Sequence, residues 1–237
     1  MSTSVVTLAR QVGLMTEMRT VANNIANANT TGFRREGVVF SEWIKSTPGA
    51  PSLSMGAGRA RTVDLTQGAI AQTGGTFDLA IEGEGFFLVE TPSGERLTRA
   101  GAFTPNEAGD LVTQQGFPVL DAGGAPIFVP PDARSFTVAA DGTLAADGNP
   151  VGQIGLVVPT DPLRMEREAN QLFEAKGGFE PAERPGAILQ GRLEGANVNP
   201  VMEITRMIEV QRAYELGQAF LDRESDRRSK LIDTLIR

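Results

Sequence analysis

A cluster of four asparagines followed by a glycine, Val21-Ala-Asn-Asn-Ile-Ala-Asn-Ala-Asn-Thr-Thr-Gly-Phe33, marks where the first helix of this chain ends. Asparagine is unfavourable inside helices, but it tolerates left-handed backbone and bonds its own main chain, so a cluster of it is typical of a helix end and turn. Phe33 directly follows the glycine, and we expect it to pack after the turn. The sequence therefore predicts an N-terminal helix that closes in an asparagine-rich turn.

The residues before this turn form an apolar stripe. Four apolar side chains are spaced by four, three and four positions, which places them on one side of a helix. They are Leu14, Met18, Val21 and Ile25. A second, slightly rotated stripe precedes them and consists of Val5, Leu8, Val12 and Met15. Narrow stripes of this kind need a partner to cover them.

A second long helix is predicted at the C-terminal end, where Asn199-Pro200 supplies a helix cap and a proline at the first helical position. No further proline follows, and Gly217 is the one glycine before Arg237. Extended continuously, this helix would span roughly 57 Å at about 1.5 Å per residue, a length that suggests a coiled coil. Its apolar positions are Met207, Val210, Tyr214, Gly217 and Leu221, and after Glu224 and Arg228 they resume at Leu231 and Leu235.

The residues between the two helices read as short strands. Phe77, Leu79 and Ile81 alternate with Asp78 and Ala80, as in a strand, and glycines separate the short apolar segments that follow. A degenerate repeat relates residues 103–119 to residues 136–151, which predicts two similar β-meander units. The predicted fold class is therefore α+β, with long N- and C-terminal helices pairing as a coiled coil and a central β-rich domain of short antiparallel strands.

The segment between the first helix and the β-rich domain carries weaker signals. Pro48–Gly58 is rich in proline, glycine and serine and is interpreted as a linker or surface loop. Trp43 is the only tryptophan and fits either a subunit contact or the protein's own core. The predicted division is an N-terminal helix and turn at 1–33, a linker or extended segment at 34–74, a β-rich domain at 75–185, and a C-terminal segment with the long helix at 186–237.

Composition excludes several classes of function. The chain has 22 basic and 29 acidic residues and a net charge of −7, whereas nucleic-acid binding requires a basic face. It contains neither cysteine nor histidine, so disulfides, thiolate chemistry and the commonest transition-metal ligand are absent. No run approaches the ~20 apolar residues of a membrane span. We expect no cofactor, no metal site, no small-molecule substrate and no membrane insertion.

Carboxylates remain as possible catalysts. Glu82 and Glu84 could be imagined as a glycosidase pair, but alternation on a strand or turn does not set the separation that such chemistry needs. One alternative is a carboxylate-dependent enzyme acting on the cell wall, which would use some of Glu82, Glu84, Asp110 and Asp141. Another is a cytoplasmic coiled-coil adaptor. We favour solvated turn residues at these positions.

Motifs along nearly the whole chain resemble one family, the flagellar axial proteins that form the bacterial rod and hook. The matching segments are the asparagine cluster, Phe77–Val89, Leu97–Phe103 and Leu193–Val201. Within the family the chain is most similar to the F-type subunits of the proximal rod, on the strength of Gly116–Gly124 and Glu203–Glu215. The distal-rod G-type subunits are the nearest alternative.

The resemblance implies a structural subunit of the basal-body rod that is not an enzyme. Such a subunit polymerises through its terminal helices as part of the drive shaft that transmits torque from motor to hook. Expected partners are other rod subunits and the flagellar type III export apparatus, which would deliver the chain to the periplasmic rod without a cleaved signal peptide. The predicted assembly interface is Leu14, Met18, Val21, Asn23, Asn24, Ile25, Asn27, Phe33, Met207, Val210, Tyr214 and Leu221.

Overall fold

A computed structural model describes residues 3–47, 50–168, 171–183 and 186–235, with only the backbone described for residues 3–5, 40–47, 50–61 and 235. The chain divides into two compact units. The helical unit comprises residues 1–26, 36–62 and 199–237, and the β unit comprises residues 27–35 and 63–198. The predicted α+β class with a β-rich centre is confirmed. The coiled coil of the terminal helices and the four-part division of the sequence stay predictions.

The helical unit contains both predicted helices. Helix α1 spans Thr3–Ala26 and helix α2 spans Pro200–Leu235. The side chain of Asn199 accepts hydrogen bonds from the backbone N–H groups of Val201 and Met202, at 3.1 and 3.3 Å. This is the N-cap arrangement that the Asn-Pro pair predicts. The start of α2 is therefore confirmed, as is the end of α1 before the asparagine-rich turn.

A long hairpin also belongs to the helical unit. Strand β1 spans Glu36–Thr47 and pairs with strand β2, Ala50–Val63, in a two-stranded sheet. The interpretation of Pro48–Gly58 as a linker or surface loop is therefore wrong from residue 50 onward. Proline is compatible with a strand when it lies near the strand start or on an unpaired edge, which composition alone does not reveal. Trp43 lies in β1, and its side chain is outside the described part of the chain.

The β unit is built from short antiparallel strands. Six of them form one sheet in the order β13-β14-β6-β5-β12-β15, and three form another in the order β11-β10-β9, with the remaining pairs β16-β4, β17-β3 and β7-β8. The strands are β3 Ile70–Gln72, β4 Leu79–Glu82, β5 Phe86–Thr91, β6 Gly94–Thr98, β7 Phe103–Pro105, β8 Leu111–Thr113, β9 Phe136–Val138, β10 Thr143–Ala146, β11 Asn149–Gln153, β12 Leu156–Pro159, β13 Met165–Arg167, β14 Leu172–Ala175, β15 Phe179–Pro181, β16 Ala187–Gln190 and β17 Arg192–Glu194. A 3-10 turn at Pro162–Arg164 follows β12.

Two apolar clusters fill this unit, and β5 separates them. Phe87 and Val89 belong to the larger cluster, and Phe86 and Leu88 belong to the smaller one, which also contains Phe173. Because successive side chains of a strand point to opposite faces, β5 is buried on both sides. This explains why its sequence is a continuous apolar run rather than an alternating one.

The internal repeat corresponds to two related hairpins. Phe103 pairs with Thr113 in the first, and Phe136 pairs with Ala146 in the second. Strand β11 adds a third strand to the second copy, whereas the first copy has a single bridge from Val112 at the equivalent place. The repeated strand-turn-strand pattern is confirmed, and the third strand is reduced in the first copy.

Candidate assembly surfaces

Helices α1 and α2 pack against each other in antiparallel directions. Side-chain hydrogen bonds between described residues join them, and residue numbers that rise along α1 pair with residue numbers that fall along α2. These bonds run from Gln11 Nε2 to the Tyr214 carbonyl oxygen at 2.9 Å, from Arg206 Nε to Glu17 Oε1 at 2.7 Å, and from Asn24 Nδ2 to Glu203 Oε2 at 3.1 Å. The two terminal helices therefore contact each other within one chain.

Most apolar residues of the predicted interface are buried or half-buried. Leu14, Val21 and Val210 are buried. Five others are half-buried, namely Met18, Ile25, Met207, Tyr214 and Leu221. Their burial accounts for the spacing of the stripes without a second subunit. Whether these residues also contact a neighbouring subunit stays a prediction.

Asn24 joins three elements of the helical unit. It is fully buried, its Nδ2 donates to the carbonyl oxygen of Glu36 at 2.9 Å, and its Oδ1 accepts the Glu36 backbone N–H at 3.0 Å. With the bond to Glu203, this single amide ties the end of α1 to the start of β1 and the start of α2. The sequence marked Asn24 as a turn or interface residue and did not indicate this role.

Asn23, Asn27 and Phe33 also belong to the predicted interface, and each has a different environment. Asn23 is half-buried. Asn27 closes the turn after α1, because its carbonyl oxygen and Oδ1 accept from the N–H and Oγ1 of Thr30 at 3.0 and 3.2 Å. Phe33 is buried in the β unit, with the guanidinium of Arg167 4.0 Å from its ring centroid. The expectation that Phe33 packs after the turn is confirmed.

The helix pair leaves other apolar side chains exposed. On α1, Leu8 and Val12 from the second stripe are both more than half exposed. On α2, four of the exposed apolar residues lie about 120° to either side of the Met207–Leu221 stripe, at about 100° per residue. Ile204 and Ile208 occupy one side, and Leu216 and Phe220, which are 73% and 42% exposed, occupy the other. Leu231, at which the stripe was predicted to resume, is 57% exposed, so α1 does not cover that part of α2. Helix α2 therefore exposes apolar side chains outside the Met207–Leu221 stripe, and Leu216 and Phe220 line an open hollow together with Val6 and Leu14 of α1.

A buried ion cluster lies just after the asparagine-rich turn, within the β unit. The carboxylate of Glu194 accepts from Arg34 Nη2 at 2.7 Å, from Arg99 Nη1 at 3.3 Å and from the backbone N–H of Gly68 at 2.8 Å. Glu194 and Arg34 are fully buried. Burial lowers the pKa of Arg99 to about 10, against the opposing effect of the Glu194 charge. Arg99 therefore remains a cation at neutral pH, and the carboxylate of Glu194 contacts both guanidinium groups.

Gly32 allows the turn to pack closely against the residues around this cluster. Its backbone N–H donates to the Glu194 carbonyl oxygen at 2.7 Å, and its φ is +69°. A Cβ at this position would lie 2.3 Å from the backbone nitrogen of Ala100. The glycine is therefore required both by its left-handed backbone and by close packing. The sequence indicated a turn at Gly32, but nothing in it paired Arg34 with Glu194.

The carboxylates considered as catalysts lie on turns and strand ends. Glu82 and Glu84 are exposed on either side of Gly83. Asp110 Oδ2 accepts from Asn106, and the Asp141 carboxylate accepts the Thr143 N–H at 2.9 Å, a bond that lowers the pKa of Asp141. Within the described residues, no cluster of three or more acidic side chains is arranged to hold a metal ion. The helices of the described chain are also too short or too polar to cross a membrane.

Family models match three parts of the chain. Residues 14–34 match the model described as flagella basal body rod protein, and residues 80–146 match the flagellar hook protein FlgE/F/G D1 domain. Residues 189–234 match the flagellar basal body rod FlgEFG protein C-terminal model. The matches thus include the asparagine-rich turn, the first part of the β unit and helix α2.

Curated relatives align over nearly the full length. The flagellar basal-body rod protein FlgF of Caulobacter vibrioides is 42% identical over 96% of this chain and 95% of its own length. FlgF of Mesorhizobium japonicum is 38% identical over 97% and 96%. FlgG of Bacillus subtilis, also a flagellar basal-body rod protein, is 32% identical over 92% and 93%.

Proposed function

Because this chain belongs to the flagellar basal-body rod proteins, and within them to the F type, we propose that it polymerises through the exposed faces of its paired terminal helices. The chain is a structural subunit of the rod in the flagellar basal body, and it assembles with other rod and hook axial proteins. The G-type assignment is less well supported, since the F-type relatives have the higher identities. As part of the rod, the subunit would help to carry torque from the motor to the hook.

One observation supports this mode of assembly more than any other, namely that α2 exposes large apolar side chains outside the Met207–Leu221 stripe. The pairing with α1 uses one side, which leaves Ile204 and Ile208 on a second and Leu216 and Phe220 on a third. Covering four half-exposed side chains of this size gains on the order of 3–6 kcal/mol per subunit, at about 1.5–3 kcal/mol for a fully buried side chain. Neighbouring helices in a coiled-coil layer would provide that cover.

The two exposed sides of α2 differ from each other, and this favours an open assembly. Contacts between unlike surfaces are heterologous, and when their rotation does not close they generate a helical filament. A rod made in this way distributes torque over many repeated contacts. We infer that the described carboxylates serve turns and ion pairs rather than catalysis, and that the chain reaches the periplasm through the flagellar export apparatus without signal cleavage. Family membership supports both inferences.

The experiment uses Leu216→Glu, because Leu216 is exposed in the free chain. We expect the purified variant to unfold at the same urea concentration as wild type. In a strain that lacks the native gene, we expect it to fail to restore motility and hooks in electron micrographs. The matched control is Gln218→Glu, which adds the same charge at an exposed polar position. Normal hooks and swimming with Leu216→Glu would contradict assembly through this side of α2.

A further inference from the structure

Two exposed sets of side chains on helix α2 have the same spacing and end in opposite charges. Each set consists of two apolar residues four positions apart and a charged residue seven positions later. The acidic triplet is Ile204, Ile208 and Glu215, and the basic triplet is Leu216, Phe220 and Arg227. All members of both triplets are exposed. Each residue of the basic triplet lies twelve positions after its counterpart in the acidic one.

The two triplets lie on different sides of the helix and cannot meet within one chain. Twelve positions correspond to a rotation of about 120° and to about 18 Å along the axis, at about 100° and about 1.5 Å per residue. The triplets of two different copies can face each other if their α2 helices are parallel and one copy is shifted by about 18 Å along the axis. In that arrangement every residue of one triplet lies opposite its counterpart in the other.

The basic triplet lies beside a hollow that a neighbouring helix can fill. Leu216 and Phe220 line this open hollow of about 410 Å³ together with Val6 and Leu14 of α1. Parallel helices pack closely when side chains of one insert between side chains of the other, which requires apolar residues at matching intervals. The four-residue interval between Ile204 and Ile208 matches the interval between Leu216 and Phe220.

The charged residues select the direction of the neighbouring helix. In the shifted parallel pair, Glu215 of one copy faces Arg227 of the other. An antiparallel pair would also align the apolar residues, but it would place Glu215 opposite Glu209, which carries the same charge. In the free chain Arg227 Nη2 donates to Glu224 Oε1 at 2.8 Å, and Glu215 Oε1 accepts from Gln211 Nε2 at 3.0 Å. These are local bonds along the helix surface, which contribute little stability and do not prevent a new ion pair.

We propose that the acidic triplet of one copy of this chain packs on the basic triplet of the next copy, with parallel α2 helices shifted by about 18 Å. Ile204 and Ile208 enter the hollow, and Glu215 pairs with Arg227. Because the two surfaces differ, the contact is heterologous and can repeat from copy to copy. The inference rests on the proposed helix-mediated assembly and adds to it the identity of the neighbour, the direction of its helix and its shift.

The first test exploits the absence of cysteine from the native chain. In cells that carry Glu215→Cys with Arg227→Cys in place of the native gene, a short bismaleimide should give a ladder of covalent multimers of this chain. Each single variant should give no multimers, because the thiols of neighbouring copies are then about 18 Å apart along the axis. The control pair is Glu215→Cys with Asp233→Cys, and it should give no ladder because both positions lie on the same side of α2.

Two results of this experiment would overturn the proposal. One is a lack of multimers in motile cells that carry Glu215→Cys with Arg227→Cys. The other is a ladder from Glu215→Cys with Glu209→Cys, which indicates an antiparallel neighbour. Helix-mediated assembly is judged separately by Leu216→Glu. Loss of hooks in that variant, without multimers from the cysteine pair, would contradict this contact alone and indicate that the hollow binds a different protein.

A charge exchange tests the same contact without a cross-linker. Glu215→Arg and Arg227→Glu should each reduce swimming, because each brings like charges together between copies. The double variant should restore swimming. Since the two residues lie on different sides of one helix, twelve positions apart, such a rescue arises between copies and not within one. A double variant that swims no better than either single variant would overturn the proposal, also where the cysteine pair itself prevents assembly.

Discussion

The buried carboxylate of Glu194 supports the region where the asparagine-rich turn enters the β unit, and replacing it tests that account. Glu194→Gln keeps the shape of the side chain but removes its charge. The substitution leaves Arg34 and Arg99 buried together without a counter-ion at hydrogen-bond distance, since both bond this carboxylate. The Gln oxygen can still accept from Gly68, so the electrostatic loss dominates.

The expected cost is large relative to the stability of a domain. Removing one partner of a buried ion pair typically costs about 3–5 kcal/mol, because an uncompensated charge remains inside. Typical domains unfold with about 5–15 kcal/mol in total. We therefore expect Glu194→Gln to lower the free energy of unfolding of the full chain by about 3–5 kcal/mol. The measurement is urea unfolding at pH 7, followed by circular dichroism.

The matched control is Glu168→Gln. Glu168 also bonds an arginine, Arg96, at 2.9 Å, but its side chain is 38% exposed. Because the Glu168 carboxylate is open to solvent, we expect this pair to contribute about 1 kcal/mol or less. If Glu194→Gln destabilised the protein no more than Glu168→Gln does, the claim that the buried cluster supports the β unit would be refuted.

Three further predictions concern the helix pair and pH. Gly217→Ala should displace the carboxamide of Gln11, because the new Cβ would lie 2.4 Å from Gln11 Nε2. The loss of the hydrogen bond from Gln11 to Tyr214 should offset the gain of about 1 kcal/mol in helix propensity, so we expect a melting temperature close to that of wild type, and a large change in either direction would contradict this packing. Asn24→Ala should cost about 1–3 kcal/mol in urea unfolding, since it leaves buried backbone groups unpaired, and an unchanged midpoint would contradict the role of Asn24. The hydrogen bond from Arg96 holds the pKa of Glu168 below its ordinary value. The stabilisation that ionised Glu168 contributes to the folded chain should therefore be present above about pH 4.3 and be lost as the pH falls through the pKa of the folded state. If the stability of Glu168→Gln depended on acid pH in the same way as that of wild type, this prediction would be wrong.

Local patterns predicted the helices and much of the β unit. The backbone conformations at the Asn199 cap and at the glycine after the asparagine cluster depend on neighbouring residues, so the sequence predicts them. In each case the physical cause lies within a few residues of the effect.

The buried polar contacts were not predictable in this way. Asn24 and Glu203 are separated by 179 positions, and Arg34 and Glu194 by 160. A single sequence gives each residue type but does not indicate which distant group it meets. The stripe containing Leu14 was identified, but its spacing does not distinguish a partner in the same chain from one in a neighbouring subunit.

The most direct test of assembly through the helix pair is electron cryomicroscopy of isolated basal bodies from cells that make this protein. The account predicts that the chain lies in the rod and that Leu216 and Phe220 are buried against helices of neighbouring subunits. A rod in which these side chains of α2 face solvent, or from which the chain is absent, would contradict it.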